Sequence, residues 1–391
     1  MRNFLDEYHF WAKRSMKDAM VEKAYFTQVF SESSFNSRFT AEHAKPFVEA
    51  PEVAASDWRR EHLLACRVIC RPKREILLPV LLKHQFPQRQ PPDQIAAFID
   101  GPDDEHTFSS EHRLIREYGV SLGQAFSALS HFRESPDVSQ ELHLGPEGRS
   151  KRLRRHTILE DYTDSSTLQV ASSSPLENED SQGASSAGYV DSTSHSRRAP
   201  PEDDTRRLAS CVIRHVLYYS PPQDSDQLPL VVEYRDSEQR LEASTPSLLR
   251  RIVATDDGGL YLRQEGASAS MILNHRVAML EAKKRFQCIE DGRPIISDNC
   301  LAQMTCEALA LRLTDHVEGM EENIVIIQAT QCYMCFLQFT ISDQYLRDFE
   351  LDTPTSYIFV HATPLFDLRS RRGRQNVESN LRSLMVWARS V

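Results

Sequence analysis

The sequence contains no stretch approaching the roughly 20 apolar residues of a membrane-spanning helix. It shows no secretory leader either: Met1-Arg2-Asn3-Phe4-Leu5-Asp6-Glu7 turns acidic at once and no apolar core follows. The eight cysteines follow no disulfide-framework spacing, which points to a reducing compartment. Positive charge is not in excess. The formal net charge of −10 argues against a protein that coats nucleic acid non-specifically, because phosphate neutralisation dominates such affinity. It leaves room for an enzyme with a local basic cleft. No period of 20–50 residues repeats, so a solenoid is not expected. These absences predict a soluble, intracellular protein with no membrane partner.

One cysteine pair invites a metal reading. Cys332 and Cys335 form a CxxC, but the surrounding residues read as strand, where positions three apart face opposite sides. No second CxxC or histidine pair completes a zinc site. Buried structural thiols are the expectation.

At 391 residues, 40% of them hydrophobic, the chain is long enough for two domains. The clearest boundary is residues 157–206, rich in Ser and acidic residues and too poor in apolar surface to offset ordering entropy. Three parts follow: a mostly helical N-terminal region (1–148), a basic cluster with a disordered linker (149–206), and a C-terminal domain (207–391). The cluster Arg149-Ser150-Lys151-Arg152-Leu153-Arg154-Arg155 suits an importin-type nuclear signal, and equally a solvated charge run. The nucleus is therefore one expected location and the cytoplasm the other.

In the N-terminal region, Phe4, Tyr8, Trp11, Met16 and Met20 fall near helical spacing. Ser56 or Asp57 can cap a helix to Cys66, and apolar faces recur in 75–82 and 109–132. No catalytic motif appears there; the helices offer a docking surface for a protein partner. The C-terminal domain alternates element types. Residues 206–219 read as an amphipathic helix and 228–234 as a strand. Residues 270–273 and 277–282 read as a hairpin turning at Asn274-His275-Arg276. Ser297 or Asp298 caps a helix to about Leu313. Two strands (324–329 and 332–341) and a helix over 376–388 follow.

The chemistry concentrates at Val277-Ala278-Met279-Leu280-Glu281-Ala282-Lys283-Lys284-Arg285. Glu281 and Lys283, two apart on a strand, point to the same face. A carboxylate and an ammonium at a strand end suit metal-assisted phosphodiester hydrolysis. The plainer alternative is a strand-end acid paired with a neighbouring base.

The order helix, strand, hairpin ending in Glu-x-Lys, helix, strand resembles the PD-(D/E)XK nuclease-like fold, an αβββαβ core. The resemblance covers about 207–345 and is strongest to an uncharacterised group of such domains in filamentous fungi. It is carried by Leu280-Glu281-Ala282-Lys283-Lys284-Arg285-Phe286-Gln287, Asp291-Gly292-Arg293-Pro294-Ile295-Ile296-Ser297-Asp298, Ala302-Gln303-Met304 and Glu307-Ala308-Leu309-Ala310-Leu311-Arg312. It implies an α/β class, more narrowly α+β with a mixed sheet. It also implies Mg²⁺ held by Glu281, a water-orienting Lys283, Gln303 on the following helix, and Lys284 and Arg285 against nucleic acid.

The pattern breaks at its second acid. The family places an Asp about ten residues before the Glu, where Ala269-Ser270 stands here. Glu265 is the nearest upstream acid and the candidate second metal ligand. Asp256-Asp257-Gly258-Gly259 reads as a hairpin turn. The expected protein is thus a candidate Mg-dependent nuclease with a degenerate, impaired site. The alternative is a non-catalytic nucleic-acid-binding or protein-interaction scaffold.

Overall fold

The computed structural model describes residues 23–72, 74–85, 90–133, 202–221, 230–264, 271–290, 292–314 and 322–390. The first part of the chain contributes α1 (Tyr25–Gln28), α2 (Glu32–Ala41), α3 (Arg60–Ala65), β1 (Val68–Cys70), α4 (Asp93–Asp100), α5 (Glu111–Tyr118) and α6 (Val120–Ser130). Then come α7 (Glu202–Tyr219), β2 (Leu230–Arg235), β3 (Gln239–Ser244), β4 (Arg251–Asp256), β5 (Gly259–Gln264) and β6 (Met271–Lys283). The rest is β7 (Cys288–Glu290), β8 (Arg293–Ile295), α8 (Asp298–Thr314), β9 (Asn323–Thr330), β10 (Tyr333–Thr340), α9 (Asp343–Asp348), β11 (Ile358–Ala362), β12 (Phe366–Asp367) and α10 (Arg371–Ser390).

One mixed sheet organises these elements, in the order β1-β11-β10-β9-β6-β5-β2, with β12 also on β10. The pairs β6–β9 and β1–β11 are parallel; the other ladders are antiparallel. Strands β6 and β9 read as unbroken apolar runs because both faces are covered. Met279, Ile326 and Leu337 share a core with α8, while Leu280, Ile327 and Phe336 share one with α7 and α10. Helix α8 is buried nearly all round, since the β3–β4 hairpin and α3 cover the side away from the sheet. Ser297 caps it, its hydroxyl accepting from the Cys300 amide at 3.2 Å.

Several expectations change. The turn at Asn274-His275-Arg276 is absent: β6 runs straight through as one strand. Leu262 pairs Asn274 and Leu260 pairs Ala278, so β6 carries extra residues there and bulges. Polar residues between apolar runs signal a bulge as well as a turn. Helix α7 starts at Glu202, which places the last residues of the expected linker in regular structure; positions 134–201, including Lys151 to Arg155, lie outside the described residues. The boundary between 148 and 207 does not separate two cores. Strand β1 joins the sheet against β11, Tyr25 and Leu63 enter the core of α8, and α6 packs on α7.

The N-terminal helices are shorter than their apolar spacing suggests. Gly119, at φ 80°, breaks the expected helix over 109–132 into α5 and α6. Most of the helix expected over 4–26 lies outside the described residues. Cys332 and Cys335 fall in opposite cores, and burial pushes both thiols up to about 12. Arg369, just before the last helix, binds Asp367; in the first turn of that helix Arg371 binds Asp100, and buried Arg374 donates to the Ile99, Asp100 and Leu368 carbonyls.

Candidate functional site

The site forms where β5 begins and β6 ends. Gly258 adopts φ 136°, and a Cβ on Gly259 would come within 2.5 Å of the Ala278 carbonyl. Two glycines therefore let the chain leave the β3–β4 hairpin and close tightly on β6. The Asp257 amide donates to the Leu280 carbonyl, and the Leu280 amide to the Gly258 carbonyl, both at 2.9 Å. One step further, the Asp257 carboxylate takes over the ladder: its Oδ2 accepts from the Ala282 amide at 2.8 Å.

Asp257-Gly258 is thus no hairpin turn. It is the crossing from one sheet to another, since β4 pairs only β3 while β5 pairs β2 and β6. The crossing sets an acid beside Glu281. Glu265 and Ser270 lie outside the described residues.

Glu281 is fully buried on the α8 side of the sheet, in register with Gln328 of β9. Lys283 Nζ stands 2.6 Å from Glu281 Oε1, and the Glu307 carboxyl group shares a side-chain hydrogen bond with Glu281. Helix α8 supplies Gln303 and Glu307, one turn apart, with Gln303 Nε2 donating to Glu307 Oε1 at 3.1 Å. Glu307 is also fully buried. It makes no surface pair with Arg312 or Lys284; its carboxyl group instead shares a side-chain hydrogen bond with Glu281. The first turn of α7 completes the surroundings: the Thr205 hydroxyl reaches the Lys283 carbonyl at 3.4 Å.

Electrostatics follow from burial. Desolvation, then the Glu281 charge, raises the Asp257 carboxyl to about 8. Burial and the same neighbour push Glu307 far above the carboxylate range, so it is neutral. Glu281 is also raised by burial, with Lys283 opposing. Burial works against the Lys283 charge, but Glu281 beside it prevails and raises its pKa. One lysine therefore faces three buried carboxyl groups.

Beside Lys283 the surface opens into a small depression with a cavity volume of ≈ 10 Å³, lined among others by Arg285, Phe286, Gln287, Gln328 and Thr330. Lys283 is the cluster member that reaches it; its side chain is 17% exposed and that of Glu281 0%. Lys284 is exposed just beyond.

Among the described residues, no group of three or more His, Cys, Asp or Glu side chains is arranged to hold a metal ion. Asp257 and Glu281 are the kind of ligand through which proteins bind Mg²⁺, one or two carboxylates with water and substrate oxygens completing the shell. A cation at Glu281 would compete with Lys283 Nζ and the Glu307 carboxyl group for its oxygens.

The site thus brings together Glu281, Lys283 and Gln303 as the sequence predicts, and adds Asp257 and Gln328, which it did not. Asp-Gly-Gly directly before the alternating Leu260-Tyr261-Leu262 was the available signal for Asp257. For Gln328 the signal was a lone polar residue in an apolar strand. Fold and site define a mixed-sheet α/β protein with an Asp-Glu-Lys cluster at the junction of two central strands. Compared with protein-family models and with curated proteins, the chain matches none. No helix of the described residues is long and apolar enough to cross a membrane.

Proposed function

We propose that this protein is a metal-dependent phosphodiester hydrolase acting on nucleic acid, built on a PD-(D/E)XK-like core. The observation that carries this reading is Asp257 beside the Glu281–Lys283 pair, since it supplies the second acid that the motif lacks. The order α7, β2, β5, β6, α8, β9 supports it too: it runs αβββαβ, with the β3–β4 hairpin inserted after the first strand and the β7–β8 hairpin after the third. Asp257 and Glu281 would hold the cation. Bound there, it would polarise the scissile phosphate and lower the pKa of an attacking water. Lys283, at the edge of the depression, offsets phosphate charge and orients that water. Gln303 fixes neutral Glu307 behind Glu281, and Lys284 and Arg285 meet the nucleic-acid backbone.

A second reading, a non-catalytic binding module, is favoured by one observation: Lys283 is engaged by Glu281, and both acids are shielded from solvent. One experiment separates the two. Single- and double-stranded DNA and RNA are incubated with Mg²⁺ or Mn²⁺ and wild type, Asp257→Asn or Glu281→Gln. Hydrolysis is expected from wild type alone. No hydrolysis by wild type, or equal hydrolysis by both variants, refutes the enzymatic reading.

A further inference from the structure

We propose that Arg71 and Arg74 form a second anchor for the nucleic-acid backbone, on the same edge of the sheet as the Glu281–Lys283 pair and several nucleotides away from it. The inference rests on the phosphodiester reading of the acid cluster, and it adds where the rest of the strand is held.

Topology puts both points on one edge. Strands β6, β9, β11 and β1 run in one direction, because β6–β9 and β1–β11 pair in parallel while β10 is antiparallel to both β9 and β11. Their C-terminal ends therefore lie side by side, and ligands of open α/β sheets gather at such ends. Lys283 closes β6, and Arg71 and Arg74 follow directly on β1. Register carries the line across the sheet: Glu281 stands opposite Gln328, and Gln328 opposite Cys335. Arg74 lies beyond Cys335, near enough for its charge to oppose the burial that raises that thiol. Four steps separate β6 from β1 in the sheet, a distance of ~19 Å at the usual strand spacing.

The two guanidinium groups are held in place without being consumed. Arg71 lies over the Phe359 ring, 4.3 Å from its centroid, and Arg74 over the Phe26 ring at 4.9 Å. Stacking fixes a guanidinium plane and leaves its fork of N–H donors open. Both residues are partly exposed, and neither pairs with a carboxylate among the described residues; Arg60, Arg235, Arg369 and Arg371 each do. Arg67, stacked on Tyr357 at the other end of β1, spends its Nε on the Ser356 carbonyl and is structural. Between Arg67 and His84 the sequence also holds Lys73 and Lys83, with Glu75 as the single acid. In a chain of net charge −10 that is a local excess of positive charge.

A phosphodiester backbone meets this geometry. The guanidinium fork matches two phosphate oxygens at once. A stacked strand advances ~3.4 Å per nucleotide, so one with a phosphate at Lys283 reaches Arg74 about five or six nucleotides later. The anchor therefore acts on long substrates and leaves the shortest untouched.

The test measures binding with the full-length protein in EDTA, so that no turnover intervenes. Fluorescein-labelled single strands of about 3 and about 12 nucleotides are read by anisotropy over a range of salt, with a labelled polyglutamate peptide as the acidic control. Arg74→Ala is expected to weaken the longer strand about 5-fold, to lower its salt slope by about 1, and to leave the shorter strand unchanged. Arg71→Ala should give the same selective loss, and decides alone should Arg74→Ala not fold. Unchanged affinity for the longer strand in a folded variant overturns the proposal. So does an equal loss on both lengths, polyglutamate bound as tightly as the longer strand, or no binding by wild type.

Failure here is distinct from failure of the hydrolase reading. Cleavage that needs Asp257 and Glu281, with the longer strand bound equally by wild type and both arginine variants, removes the anchor and keeps the enzyme. Arginine-dependent binding without cleavage does the reverse.

Discussion

The Asp257 carboxylate accepts a hydrogen bond from the backbone amide of Ala282, 25 positions later in the chain. The side chain stands in for the carbonyl that another residue of β5 would have offered. It thereby sits beside Glu281, whose charge it feels. One carboxylate oxygen is spent on structure, and in the proposed function the other binds the cation.

That division predicts how the site responds to metal. Mg²⁺ should raise the melting temperature of wild type, since a ligand bound only by the native state stabilises it by mass action. Glu281→Gln should lose the response altogether. Asp257→Asn should lose it as well, although Asn can present a carbonyl oxygen to the Ala282 amide. Differential scanning fluorimetry with and without Mg²⁺ checks this; an undiminished shift in either variant would show that the residue holds no metal.

Stability should fall as pH rises. Asp257 titrates at about 8 in the fold and near ~3.9 when unfolded. Between those values the folded protein keeps a proton that the unfolded chain has released, so each increase in pH favours unfolding until about 8, where the effect levels off. Raised Glu281 and Glu307 act in the same direction. Metal binding needs the deprotonated acid and should strengthen over the same window. Urea midpoints across this range should decline for wild type and decline less for Asp257→Asn.

Glu307 gives a prediction that separates shape from charge. It is neutral and buried, with Gln303 on one oxygen. Glu307→Gln should therefore cost less than about 1 kcal/mol, while Glu307→Ala, which strands Gln303 and opens a cavity, should cost about 2–4 kcal/mol. Chemical denaturation of the two variants decides. Equal losses would mean that Glu307 carries charge.

Much of this was legible in the sequence and some was not, for definable reasons. Period and apolar runs located α7, α8, β9, β10 and most of α10, because those elements bury one face or both. Glu281, Lys283 and Gln303 were legible because they share one strand end or one helix face. Asp257 was not, because a fixed spacing of about ten residues assumes adjacent, unbulged strands. Here β6 bulges, and the acid precedes β5 rather than opening it. The β3–β4 hairpin was missed as well, although Arg240-Leu241-Glu242-Ala243 alternates polar and apolar as a half-buried strand does. The membership of β1 in the sheet was invisible because three residues carry no period.

That membership can be tested directly. A protease site engineered at Ser185 should yield two pieces that stay associated through gel filtration, because β1 pairs β11 and α4–α6 pack against α7 and α10. Tyr25→Phe, which removes an O–H bound to the Val68 carbonyl at 2.6 Å, should destabilise the associated protein by about 1–3 kcal/mol in a single transition. Pieces that separate freely would restore two independent domains.

The short strand β1 has a wider consequence. Without it, β11 would present a bare hydrogen-bonding edge, an open template for pairing with other chains. Val68, Ile69 and Cys70 occupy that edge, and the Cys70 amide turns outward to the Val29 carbonyl at 2.8 Å. The segment around β1 therefore acts as a built-in guard against self-association. A fragment beginning at residue 202 would keep every member of the Asp257–Glu281–Lys283 cluster and still be a poor reagent, because it would meet its own copies edge to edge.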